Sequence, residues 1–141
     1  MILLATNVVS EFVKPAPNMC VQRWLDACAE ADLFICAPVV AELFYGVAIL
    51  PAGKKKLALL ASCERVEHEA FAGRILPFDE RAAHRFAELC ALKRSRGQGI
   101  AVMDAIIASI AAAHAMTLAT RNVRDFEEFG VPLVDRFTAR A

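Results

Sequence analysis

The sequence predicts a parallel α/β sheet flanked by helices, and three observations carry that expectation. Short, fully apolar runs alternate with stretches of helical period. Capping or breaking residues stand at the joins. No internal repeat, linker or low-complexity tract interrupts the βαβ order. The 141 residues match the commonest size of a single core, so one domain over residues 1–141 is expected.

Ile2–Leu4 is an apolar run at the start, and Thr6-Asn7 supplies helix-capping residues before Val8 to Phe12. Pro15-Ala16-Pro17 ends that helix. Asn18 can cap the next, which runs to about residue 30 with Val21, Trp24, Leu25 and Cys28 on one face. Leu33–Cys36 is the second strand candidate, closed by Ala37-Pro38 before a helix over residues 39–50 that carries Glu42. After the Pro51-Ala52-Gly53 break, one helix is expected over 54–71, with Lys54-Lys55-Lys56 as its solvated start, and a strand over 73–78. Asp79 caps a helix to about residue 94, and the Gly97-Gln98-Gly99 turn leads to an Ala- and Ile-rich helix over 102–115. Thr117–Ala119 and residues 131–134 are the last strands.

Hydrophobic residues make up 57% of the chain, more than the roughly 45–50% of an ordinary soluble domain, so part of the apolar surface is expected to cover a partner. Phe12, Phe44, Tyr45, Ile49 and Leu50 exceed what one helix face needs. Lys plus Arg and Asp plus Glu both number 16, so any nucleic-acid footprint must be local. The start lacks a basic secretory region, and the longest apolar stretch, 100–116, is broken by Asp104 and His114; a soluble, cytoplasmic protein is expected. Cys20, Cys28, Cys36, Cys63 and Cys90 form an odd set without a C-x-x-C pair, which argues for reduced, mostly buried thiols.

In parallel α/β sheets the ligand crevice lies beyond the carboxyl ends of the strands. Position 5 ends the first strand, Asp125 follows the fourth, and Glu42 and Asp104 fall in first turns of helices, where the dipole favours negative charge. Taken singly, each has an ordinary reading: Glu42 as a helix-start acid, Asp104 as a cap, Asp125 and Asn122 as turn residues, Thr6 and Thr120 as caps. Together they suit a hard cation, because Mg²⁺ and Mn²⁺ take oxygen ligands and can activate water against a phosphodiester. Glycoside hydrolysis would need one opposed carboxyl pair instead.

Met1-Ile2-Leu3-Leu4-Ala5-Thr6-Asn7-Val8-Val9-Ser10-Glu11 resembles the opening of PIN-domain ribonucleases of the VapC and FitB toxin type, with Ala5 where that family has aspartate. Val40-Ala41-Glu42-Leu43, Met103-Asp104-Ala105-Ile106-Ile107-Ala108 and Thr120-Arg121-Asn122-Val123-Arg124-Asp125-Phe126 match its other motifs in order. The resemblance implies a five-stranded parallel sheet with helices on both faces and an acidic Mg²⁺- or Mn²⁺-dependent pocket that cleaves RNA. Glu42, Asp104 and Asp125 would hold metal, Asn122 would be a weaker neutral ligand, and Thr6 and Thr120 would orient the carboxylates. Arg121 and Arg124 would meet RNA phosphates, as could Lys93, Arg94 and Arg96 unless these are solvated helix ends. The resemblance further implies a homodimer and a VapB- or FitA-like antitoxin, through which alone the chain would reach DNA. The antitoxin's segment would lie over the helices around residues 8–13 and 39–50. Ala5 removes a charge and an oxygen ligand, so the chain is expected to be nearly inactive, whether the replacement is engineered or natural. The alternative is a non-catalytic subunit that helps its antitoxin repress their operon.

Overall fold

The computed structural model describes residues 1–138. Five strands, β1 (Ile2–Leu4), β2 (Leu33–Cys36), β3 (Ile75–Leu76), β4 (Thr117–Ala119) and β5 (Leu133–Val134), form one sheet in the order β3-β2-β1-β4-β5. All pairs are parallel, with Leu3 opposite Phe34 on one side and Leu118 on the other. Leu3, Leu4, Ile35 and Leu118 are fully buried, as central parallel strands covered on both faces require. The chain first builds outward from β1 through β2 to β3, then returns to the other flank of β1. That reversal opens a crevice between the carboxyl ends of β1 and β4.

Among the described residues, seven α-helices connect the strands: α1 (Thr6–Val9), α2 (Met19–Ala27), α3 (Ala37–Ala48), α4 (Lys54–Arg65), α5 (Glu80–Ser95), α6 (Val102–Ala113) and α7 (Val123–Phe126). Asn18 and Asp79 are the caps the sequence predicts: Asn18 Oδ1 accepts from Cys20 and Val21, and Asp79 Oδ1 accepts from Ala82. Helix α2 is shorter than expected and gives way to a 3-10 turn, Glu30–Asp32.

Four further expectations need correction. Thr6 and Asn7 do not cap α1: Ala5 holds the cap position in extended conformation without a side-chain bond, and its carbonyl accepts from Val8 and Val9. The expected helix over 54–71 breaks into a π-turn at Val66–Ala70, where Phe71 N–H reaches Val66 O. The wide turn swings Phe71 into the core, edge-on to Phe12 at 5.5 Å. Lys56 is not merely solvated, since its ammonium donates to Ala48 O and Leu50 O and closes the end of α3. Strands β3 and β5 are two residues each because both are edge strands beside Pro77 and Pro132, which lack the N–H a longer ladder needs.

All five cysteines are free. Cys36 and Cys63 are buried and the other three half-buried, so the expected burial holds for only two. Burial pushes the Cys36 thiol up to about 12. Among the described residues, no helix is long and apolar enough to cross a membrane.

Candidate acidic pocket at the strand switch point

The end of β1 and the start of α1 place Ala5, Thr6 and Asn7 along a cavity of about 290 Å³, faced by Glu42 from α3, Asp104 from α6 and Asn122 from the β4–α7 turn. Ala5 is nearly fully buried, and its N–H donates to Ala119 O at 2.9 Å, which pins the end of β1 to β4. Thr6 Oγ1 donates to Glu42 Oε1 at 2.6 Å, so one expected orienting contact is present across 36 residues of sequence. Ser10 Oγ donates back to Thr6 O at 2.7 Å and steadies that turn.

Thr120 acts differently from the expectation. Its fully buried hydroxyl accepts from Asn7 Nδ2 at 3.3 Å and from Asn122 N–H at 3.0 Å, and it touches no carboxylate in the hydrogen-bond network. It holds Asn7 and the turn carrying Asn122. Asn7, read from sequence as a cap, also accepts from Arg121 N–H at 3.1 Å and so joins α1 to the end of β4.

The three acids do not share one wall. Glu42 and Asp104 line the cavity, whereas Asp125 sits on the exposed first turn of α7 in an adjoining cleft of about 420 Å³ with Arg121, Asn122 and Arg124. Among the described residues no group of three or more His, Cys, Asp or Glu side chains is close enough to hold a metal. Ala5 accounts for part of that gap, because an aspartate there would add a carboxylate to the same cavity. Asp104 is pushed above the ordinary aspartate range by burial, and the negative charges of Asp125 and Glu42 push it further, against a smaller opposing pull from Lys93. The donors present are carboxylate, amide and hydroxyl oxygens, and the crowding of negative charge is what a cation relieves. They therefore fit one hard divalent ion in kind, one carboxylate short.

Lys93 is not a solvated helix end. It is buried, with its ammonium 4.5 Å from the centre of the Phe129 ring, while Arg94 and Arg96 are exposed.

A buried acid that the sequence reading passed over is Glu11, which is 3% exposed. It accepts from Lys14 Nζ at 2.8 Å and from Asn18 N–H at 2.9 Å, closing the Pro-rich connection into α2. The i, i+3 spacing of Glu11 and Lys14 was its only local signal. Burial pushes its carboxyl up, but the Lys14 contact, the Asn18 N–H and the charge of Arg121 together hold it below the ordinary glutamate value of 4.5. Glu11 therefore stabilises the fold fully above that value, and the contribution is lost as pH falls through the lower folded value. Glu11→Gln is expected to cost about 1–3 kcal/mol at pH 7, with the gap to the parent narrowing at acid pH, as urea unfolding at several pH values will read.

The PIN domain family model matches residues 2–131, and the chain belongs to that family. Within it, the chain is of the VapC/FitB toxin type. It is 45% identical over 126 residues to Toxin FitB of Neisseria gonorrhoeae, covering 89% of this chain and 91% of that protein. It is 39% identical to VapC ribonuclease Y4jK of Sinorhizobium fredii, covering 96% of each. Its fold superposes on a structure of FitAB bound to a DNA fragment with a TM-score of 0.91, at 41% identity over 100% of this chain and 99% of that one.

Proposed function

We propose that this chain is the toxin subunit of a toxin–antitoxin pair, with the scaffold of a metal-dependent endoribonuclease that the residue at position 5 leaves nearly inactive. The observation that carries this reading is the placement of Ala5 in the wall of a cavity that also receives Glu42 and Asp104, at the strand switch point. The ribonuclease relative at 39% identity supports the same chemistry.

Glu42, held by Thr6, and Asp104 would bind Mg²⁺ or Mn²⁺ directly, with Asp125 reaching it through water and Asn122 as a neutral ligand. When bound, the ion would make a hydroxide available near neutral pH and neutralise charge developing on the phosphodiester. Thr6 keeps the Glu42 carboxylate pointed into the cavity. Asn7 and Thr120 keep the two strand ends in register around it.

An apolar groove of about 300 Å³ adjoins the pocket between α3 and α4, lined by Val13, Leu43, Val47, Leu50 and Leu59 and sharing Thr6 and Glu42 with it. Tyr45 on α3 and Ile49 just past its end are exposed. This groove would take the antitoxin's C-terminal segment, which would thereby lie beside the acids. The exposed Leu92, Ile100, Val102 and Met103 on either side of the α5–α6 turn would supply a two-fold homodimer surface, a state that sedimentation of the purified chain reads directly.

Expression in a bacterial host tests the assignment. The Ala5→Asp chain is expected to arrest growth alone and to be relieved by its antitoxin. A side chain at Gly46 would enter open space at the groove, so Gly46→Phe in that background is expected to keep toxicity and lose the rescue. Equal rescue of both proteins would remove the groove from the antitoxin interface. The second reading, a non-catalytic subunit acting at an operator with its antitoxin, draws on Ala5 itself and on the DNA-bound FitAB relative. Repression that persists with an Ala5→Asp protein devoid of toxicity would favour it.

A further inference from the structure

We propose that Arg121 is the phosphate anchor that fixes the register of an RNA strand across the acidic pocket, an inference that rests on the ribonuclease reading above. The chain carries no net charge, so no broad field can hold a polyanion, and binding has to come from a built local contact. Arg121 is built in that way. Its main chain is tied to the pocket wall, because its N–H donates to Asn7 Oδ1 while Asn7 Nδ2 donates to Thr120 Oγ1. Its guanidinium lies over a fixed support, with Cζ 5.1 Å from the centre of the buried Phe137 ring. Phe137 is itself held, with its N–H on Asp135 Oδ1 and its carbonyl accepting from Asn18 Nδ2.

A cation–π contact with the ring uses none of the guanidinium's N–H donors, which stay available to a ligand. Among the described residues those donors make no hydrogen bond and no ion pair. Arg74, by contrast, spends its guanidinium on the carbonyls of Glu30, Leu33 and Ala70. A planar fork held in advance suits two parallel bonds to one phosphate. The cleft it faces meets the acid cavity at Asn122, which lines both, so a strand with one phosphate at the acids can place a neighbouring phosphate at Arg121. The Asp125 carboxylate in the same cleft repels any anion not paired with the arginines. Arg124 shares the cleft on an exposed turn without an aromatic support, so it supplies charge without fixed geometry.

The Ala5 chain is the natural reagent for a test, because it allows RNA binding to be measured without cleavage. Fluorescence anisotropy with a labelled single-stranded oligoribonucleotide over a salt series is expected to show Arg121→Gln weakening binding about tenfold. The same change should flatten the log–log salt slope by about 0.7, the loss of one phosphate contact on a single strand. Arg124→Gln should flatten the slope equally with a smaller loss of affinity, and Arg121→Lys should restore the slope without the affinity. Phe137→Leu, folded by circular dichroism, should weaken binding to an intermediate degree.

In the Ala5→Asp background, Arg121→Gln should raise KM and spread the cut sites over neighbouring linkages, which a purely structural residue would not do. Parent affinity and slope in Arg121→Gln overturns the proposal. So does a loss confined to antitoxin binding, or a parent that binds no RNA at low salt. An Ala5→Asp protein that binds RNA through Arg121 but cuts none would instead strike at the ribonuclease reading alone.

Discussion

The Ala5→Asp protein is expected to cleave RNA in Mg²⁺ or Mn²⁺ at least about 100-fold faster than the Ala5 chain, since even residues that only support metal ligands are worth 10–100-fold. Ala5 lines the cavity beside Glu42 and Asp104, and its backbone is already extended and pinned to Ala119, so a carboxylate there needs no rearrangement of the strand. The same position is the N-cap of α1, where aspartate is favoured over alanine by about 1 kcal/mol. Against that gain, a further negative charge joins a cavity in which Asp104 already resists ionisation. Metal-free Ala5→Asp protein should therefore gain little stability, and Mg²⁺ should raise its Tm far more than it raises the parent's. Cleavage of a quenched fluorescent oligoribonucleotide, with EDTA as control, reads the rate. Equal Tm response to Mg²⁺ in the two proteins would remove position 5 from the metal site.

Asp104→Asn in the Ala5→Asp protein is expected to lower kcat by about 100-fold or more while leaving the fold intact. Asp104 occupies the first turn of α6 and is half-buried, and the substitution removes charge without changing volume. Its pKa is raised by burial and by Asp125 and Glu42, so the folded chain holds the proton more tightly than the unfolded one. Ionising Asp104 therefore costs stability as pH rises from the unfolded value towards the folded one, and Asp104→Asn should remove that loss. The activity of the Ala5→Asp protein should fall on the acid side, where Asp104 is protonated. Glu88→Gln, on the exposed face of α5 and paired with Arg85, is the matched control and should change neither property. Equal kcat with and without Asp104 would exclude it from the chemistry.

Features set by neighbours a few residues away were legible in the sequence. The five apolar runs became the five strands, and Asn18 and Asp79 cap their helices because a side-chain oxygen two or three residues ahead of a free N–H is a local arrangement. The same local rule misled at Thr6 and Asn7, whose side chains are committed to Glu42 and Thr120, 36 and 113 residues away. Thr120 failed for the matching reason: its partners are an amide on α1 and its own turn. Lys93 read as a surface charge and Glu11 went unmarked because the Phe129 ring and the closing loop that bury them come from elsewhere in the chain or from backbone geometry. The strand order, with β1 central, was equally invisible to periodicity, yet it is what brings position 5 and the turn after β4 to one crevice. The motifs named Glu42, Asp104 and Asp125 together, but the division that leaves Asp125 in the adjoining cleft depends on the exposed turn of α7.

The measurement that bears most directly on the whole account is the mapping of new RNA ends after total cellular RNA is incubated with antitoxin-free Ala5→Asp protein in Mg²⁺. Discrete new ends are expected, absent with the Ala5 chain, with Ala5→Asp/Asp104→Asn and with EDTA. A folded Ala5→Asp protein that leaves total RNA uncut in Mg²⁺ and in Mn²⁺ would contradict it.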